Sequence, residues 1–415
     1  MGLNWNRRGF LGSITATVAS ILAPGKLSST VSKATNTTVS GFGQTGNPFE
    51  ELGVATVINC EGTMTMLGGS VLRPELEAVM AMAGRHFANI PELEVAAGNR
   101  ITEMLKLPEG YSVLVTSGAA AAIQSGLAGI LTGDNDSLIR QLPDLAGMKS
   151  EVIIQKSHRN PFDHQLRSTG VKLIEIETRD QLRQAVNDRS AMMHFTNFAN
   201  AAGQIKVDEW VKLAKQYNLP SMNDAAADTP PVSHLWDYAT MGYDLITFSG
   251  GKAIRGPQCA GLLIGRKDLV SYALLNNSPH EDTLGRSQKV GKEEIIGMVK
   301  ALELYLKEDH DALAQEWQER LQRISSELTK VPGVSTQFFT PDIANHVPHM
   351  QITWDSRVSL EPRQVSKLLR ESKPAIVIGG GEGRPGLTMC SFMLQPGEDK
   401  IVAQQLSRIL REHSA

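Results

Sequence analysis

The stretch DLITFSGGKAIRGPQCAGLLIGRKD, residues 244–268, decides how the rest of the chain is read. Leu245 to Phe248 is a short apolar run, and Ser249, Gly250 and Gly251 end it. One lysine follows, Lys252, then Arg255-Gly256-Pro257 and a second apolar run from Gly261 to Gly265. Apolar runs this short, punctuated by Gly and Pro, read as buried strands. Burying an unpaired ammonium is costly, so a lysine held at a strand end is either solvated or used.

Outward from this point the same rhythm repeats. Short apolar runs at 112–115, 152–154, 171–176, 192–195 and 220–223 precede the pair at 245–248 and 261–264. Helical patterns at 119–131, 179–187 and 208–217 separate them. Alternation of this kind predicts an α/β fold: a mostly parallel sheet with helices on both faces, which binds ligands at the carboxyl ends of its strands. Beyond residue 290 the pattern changes. Residues 292–307 read as a long buried helix. Leu313, Trp317, Leu321, Ile324 and Leu328 mark one face of a second helix. A strand at 349–354 and helices near 362–371 and 399–412 complete a smaller α+β domain. The expected division is a leader and linker at 1–45, a large domain with an N-terminal arm at 46–300, and a small domain at 301–415.

The leader carries Arg7, Arg8, Lys26 and Lys33, and no acid precedes Glu50. Arg7-Arg8-Gly9-Phe10-Leu11 followed by an uncharged stretch to Ala23 has the layout of a twin-arginine export signal. The expectation is a periplasmic or secreted protein without a stable membrane span, or a cytoplasmic one if the leader does not function. A net charge of −3 gives no basic footprint for nucleic acid. Three widely spaced cysteines support neither a disulfide framework nor a metal site, and Cys259 is expected to be a small buried residue.

Lysine becomes catalytic when it forms a Schiff base with a carbonyl cofactor, and pyridoxal 5'-phosphate (PLP) is the usual one. Such a site needs a lysine, an acid for the pyridine nitrogen and a phosphate cradle. Lys252 supplies the first. Asp224, ending the run LPSMND, supplies the second. Thr116, Ser117, Gly118 and Ala119 lie where a strand turns into an Ala-rich helix, whose free N–H groups suit a phosphate.

INCEGTMTMLGGS (58–70), TSGAAAAI (116–123), NDAAAD (223–228), FSGGKAIRGPQCAGLLIGRKDL (248–269) and GRSQKVGKEEIIGMVKALELYL (285–306) carry a family resemblance. They resemble the selenocysteine synthase-like group of fold-type-I PLP enzymes, and within it D-glucosaminate-6-phosphate ammonia-lyase-type proteins. The resemblance implies roles at matching positions. Lys252 bonds the cofactor, Asp224 pairs with the pyridinium, and Ser249 adds a phosphate donor. His158 stacks on the ring, with His164 as its rival. Arg255 meets phosphate or a substrate anion. Arg286 binds an anion or serves a subunit contact. Arg384 either meets the substrate carboxylate or is a solvated arginine in a Gly-rich loop. The resemblance also implies a homodimer or higher homo-oligomer, with each partner covering part of the other's cofactor.

Loss of the α-proton on the cofactor leads to α,β-elimination from a β-hydroxy or β-substituted amino acid, or an amino sugar acid, with Lys252 as the natural base. A racemase or epimerase and an aminotransferase use the same start and stand as alternatives. An exported, non-catalytic binding protein on the same fold is the alternative of a different class.

Overall fold

A computed structural model describes Gly43, residues 46–380 and residues 385–414. The leader expectation at 1–45 therefore lies outside the described residues but for Gly43, and Arg384 lies outside them too. The chain divides into two units, Met1–Ala55 and Thr56–Ala415. In the first, the described part holds a one-turn helix, Pro48–Glu51, whose Phe49 N–H donates to the Asn47 side chain. Everything below concerns the second.

Its first strand, β1 (Val57–Asn59), belongs to the C-terminal core. The next seven build one sheet: β2 (Tyr111–Thr116), β3 (Glu151–Gln155), β4 (Lys172–Ile176), β5 (Ser190–Thr196), β6 (Ser221–Asp224), β7 (Leu245–Ser249) and β8 (Gly261–Arg266). Their order is β2-β8-β7-β6-β5-β3-β4. Only β8 is antiparallel to its neighbours, β2 and β7. Side chains alternate between two buried layers. Ile153, Met193, Phe195 and Ile246 pack on one face, and Val152, Met192, Leu245 and Leu263 on the other. Burial of both faces is why these strands read as unbroken apolar runs.

The helix Gly118–Thr132 lies almost wholly within the core, which explains its Ala and Gly content. The helix Lys292–Tyr305 is likewise packed in through Ile295, Met298, Ala301 and Leu302. After it come the helix His310–Leu328, β9 (Val334–Phe339), β10 (His349–Trp354), the helix Pro362–Arg370, β11 (Ala375–Val377), β12 (Gly379–Gly380), β13 (Leu387–Cys390) and the helix Glu398–Glu412. Strands β12-β13-β10-β9 form an antiparallel sheet. Strand β1 pairs in parallel with β11, so Ile58 and Cys60 join this second core. Cys60 and Cys390 are buried, whereas Cys259 is exposed, because the loop between β7 and β8 turns it outward. Among the described residues no helix is long and apolar enough to cross a membrane.

Candidate active site

Strand pairing brings the three predicted elements together. Gly261 of β8 is the register partner of both Thr116 and Ser249, and Asp224 is the partner of Thr247. The carboxyl ends of β2, β6 and β7 therefore meet at one edge of the sheet. A Cβ at Gly261 would lie 2.5 Å from the Gly118 carbonyl carbon and 2.7 Å from the Ala119 nitrogen. The turn into the helix can rest on β8 only because this residue has no side chain.

A cavity of about 240 Å³ opens at this edge. Its wall includes Gly118, Ala119, Ala120, Asp224, Asp228, Ser249 and Lys252, with Thr65, Gln258, Phe162 and Phe198. A bigger hollow of about 670 Å³ lies around Trp354 and Pro362, away from all of these residues. The smaller cavity is assigned as the site on its chemistry.

Lys252 follows β7 in a loop closed by backbone bonds from Gly250 N to Ala260 O and from Gly256 N to Gly250 O, both 2.8 Å. Burial pushes the Lys252 amine below the ordinary lysine range, while the charges of Asp224 and Asp228 oppose that shift. Asp224 is buried, which raises its carboxyl. The Ala226 N–H, Lys252 and Thr247 oppose the rise. Its Oδ1 accepts from Ala226 N (3.2 Å) and Thr247 Oγ1 (3.4 Å), which leaves Oδ2 for a donor in the cavity.

These residues fit PLP. Ser117 occupies the N-cap of the helix Gly118–Thr132 without making a side-chain capping bond. The helix start is thus uncapped where Gly118, Ala119 and Ala120 form the cavity wall, an arrangement suited to a phosphate. Gly118 has φ +84°, a left-handed conformation that glycine adopts without strain. Thr116 stands behind this wall. Its hydroxyl donates to Gly118 O (2.9 Å), so it shapes the turn and is not free to face a ligand.

Ser117, like Thr116, is not among the residues lining the cavity, and three further expected residues lie elsewhere. His158 is not on the cavity wall. It is buried edge-on against Phe195, with Nδ1 accepting from Thr196 N (3.2 Å). Burial pushes its pKa down to about 4, so the ring is neutral. The turn after β3 points His158 into the core, whereas Phe162 reaches the cavity and His164 is exposed. Arg255 donates from Nε to Val71 O (3.1 Å) and lines a separate cavity of about 290 Å³ with Arg73, Glu308 and Arg320. Its left-handed backbone, φ +57°, turns the chain away after Lys252. Arg286 sits in a turn closed by its own N–H to Thr283 O (3.1 Å) and is not among the residues lining the Lys252 cavity.

Sequence reasoning missed Asp228, Thr65, Gln258, Phe162 and Phe198. Of these only Asp228 carried a signal, as the last residue of NDAAAD.

Residues 57–330 match the family model described as SelA: L-seryl-tRNA selenium transferase. The D-glucosaminate-6-phosphate ammonia lyase of Salmonella typhimurium is 26% identical over 388 residues, covering 89% of this chain and all of that one. A 5'-C-glycyluridine monooxygenase-decarboxylase of a Streptomyces species is 26% identical, covering 88% of this chain and 92% of that protein. A solved structure of D-glucosaminate-6-phosphate ammonia-lyase superposes with a TM-score of 0.77 at 25% identity, covering 89% of this chain and 99% of that one.

Proposed function

Because the chain belongs to the L-seryl-tRNA selenium transferase (SelA) family and its cofactor is PLP, we propose that it is a PLP-dependent lyase acting by α,β-elimination. The substrate class is a β-hydroxy or β-substituted amino acid or an amino sugar acid, released as a 2-oxo acid and ammonia. One observation carries this reading: Lys252, Asp224 and an uncapped helix start share one cavity wall. The ammonia-lyase relative supports elimination in particular, since it spans nearly the whole chain. Neither relative named above is a racemase or an aminotransferase, so those readings gain nothing from them.

Each group has a distinct task. Gly118, Ala119 and Ala120 present backbone N–H groups to the phosphate, and Ser249 stands beside them. Asp224, whose Oδ1 is already engaged, would hold a protonated pyridine nitrogen through its other oxygen. When bound, PLP supplies an electron sink that stabilises the carbanion left by loss of the α-proton. Lys252, whose amine burial pushes below the ordinary lysine range, takes that proton. The ammonia-lyase relative supports a small-molecule substrate, and a net charge of −3 gives no overall basic excess for tRNA.

Two finer features belong to the same reading. A second copy of the chain covers the cavity mouth, because Phe162 and Phe198 line the cavity yet are 59% and 48% exposed. Met66 and Phe87 are also fully exposed apolar side chains of this unit. Residues 1–45 direct export by the twin-arginine route, and a reporter fusion that stays cytoplasmic would refute that.

The deciding experiment is a visible spectrum of wild type and Lys252→Ala, before and after borohydride. The wild type should show a cofactor band that borohydride removes and the variant lacks. A panel of serine enantiomers and D-glucosaminate 6-phosphate is then assayed for ammonia and 2-oxo acid. Absence of the band with added PLP would overturn the reading.

A further inference from the structure

A second carboxyl shares the cavity with Lys252 and Asp224. Asp228 is 1% exposed and lies on the wall. Its Oδ2 accepts from Asn197 Nδ2 and from Tyr238 Oη (3.1 Å). Asn197 Nδ2 also donates to Tyr238 Oη (2.5 Å), closing a ring of three side chains. The His234 Nδ1–H donates to the Asp228 backbone carbonyl (2.7 Å), a third side chain holding the residue.

This ring decides where a proton on Asp228 can sit. Oδ2 already receives two donors, so the proton belongs on Oδ1. Asn197 presents its amide nitrogen to Oδ2 and so acts there as a donor. Oδ1 has no hydrogen-bond partner among the described residues, and Asp228 lines the cavity. The charged and titratable groups around it are Asp224 at the end of β6, Lys252 after β7, and Tyr238 and His234 on the helix His234–Met241. Two buried carboxyls beside one ammonium do not both ionise readily. Asp224 has Lys252 and the Ala226 N–H to favour its charge. Burial, reinforced by the charge of Asp224, raises Asp228 to about 7 against the opposing pull of Asn197, Tyr238 and Lys252. Both carboxyls are raised by burial, and Asp224 is engaged at the pyridine nitrogen in the reading above, so Asp228 is the carboxyl left to carry a proton.

We propose that Asp228 is the general acid of this site, and that its Oδ1 proton goes to the departing β-substituent. This rests on the elimination reading above. Lys252 Nζ takes the α-hydrogen as a proton. The Cβ–O bond breaks, and the oxygen leaves with the electron pair and the Asp228 proton, as water when the group is hydroxyl. The proton on Lys252 then passes to the Asp228 carboxylate, restoring both groups. The unsaturated amine is hydrolysed in water to the 2-oxo acid and ammonia.

The test uses holoenzyme of wild type, Asp228→Asn and Asp228→Glu. The substrates are the β-hydroxy amino acid that the wild type turns over fastest in the panel above, and its β-chloro analogue. Chloride leaves without a proton. Asp228→Asn should therefore lose about 10²–10⁴-fold on the hydroxy substrate while staying within about threefold on the chloro analogue. Asp228→Glu should recover part of the loss. Apart from turnover, the infrared difference between wild-type and Asp228→Asn apoprotein at pH 6 should contain a neutral carboxyl stretch. Equal losses on both substrates, or no neutral carboxyl in the difference, overturn the assignment of Asp228 while elimination stands. A wild type that eliminates from neither substrate overturns the elimination reading, and the acid role falls with it.

Discussion

Replacing Gly261 by alanine puts a methyl group 2.5 Å from the Gly118 carbonyl carbon, 2.7 Å from the Ala119 nitrogen and 2.8 Å from the Gly118 Cα. All three contacts are backbone atoms, so no side chain can swing aside. The residue has an ordinary strand conformation, and the whole penalty is steric. Overpacking of this kind costs about 1–3 kcal/mol. The turn relieves it by backing away from β8, and this turn is the wall where the phosphate is held. If the strain is relieved at the expense of the bound geometry, PLP affinity falls about 5-fold to 150-fold. The assay is titration of apoprotein with PLP, read by the visible band, beside a urea unfolding curve. Gly84→Ala is the control, since its nearest neighbour is the flexible Glu293 side chain at 3.6 Å. It should leave PLP binding unchanged. Wild-type PLP affinity and an unchanged urea midpoint in Gly261→Ala would refute the packing argument.

Asp224→Asn should keep the fold but lower turnover about 10²–10³-fold, the size of one lost electrostatic partner, measured as steady-state rate with saturating PLP. The same change removes a charge that raises Lys252, so the amine should become reactive at lower pH still. The pH dependence of Lys252 acylation in apoprotein checks this. Glu94 is buried with neither oxygen hydrogen-bonded among the described residues, and burial raises it from 4.5 to about 8. A carboxyl raised on folding binds more protons folded than unfolded between those values, so stability falls as pH climbs from 4.5 to 8. Glu94→Gln should flatten that fall and raise stability at pH 9 by roughly 2–4 kcal/mol, read from urea midpoints across pH. In wild type, turnover of a hydroxy substrate should decline as pH rises through about 7, where Asp228 loses its proton, and turnover of the chloro analogue should not follow it.

Local physics made much of this protein legible in its sequence. Strand runs buried on both faces announce themselves, and the seven expected strands of the large sheet appear within two residues of their expected ends. The helix starts after Thr116 and before Asp208 follow from composition and periodicity alone. Lys252 and Asp224 stood out because charged residues at the ends of apolar runs need a reason. Pairing is not local. Nothing in residues 261–266 says that β8 runs antiparallel between β2 and β7, yet that insertion sets the Thr116 turn beside Ser249. Side-chain direction after a strand is decided by tertiary packing as well. His158 and Phe162 are four residues apart, and the turn after β3 sends the polar ring into the core and the apolar one to the cavity. Asp228 had no visible role until Asn197 and Tyr238, 31 and 10 residues away, closed a ring on one of its oxygens. Residue types and their spacing determined which chemistry was available. Which oxygen, ring and helix end face the same space was decided by contacts between segments far apart in the chain.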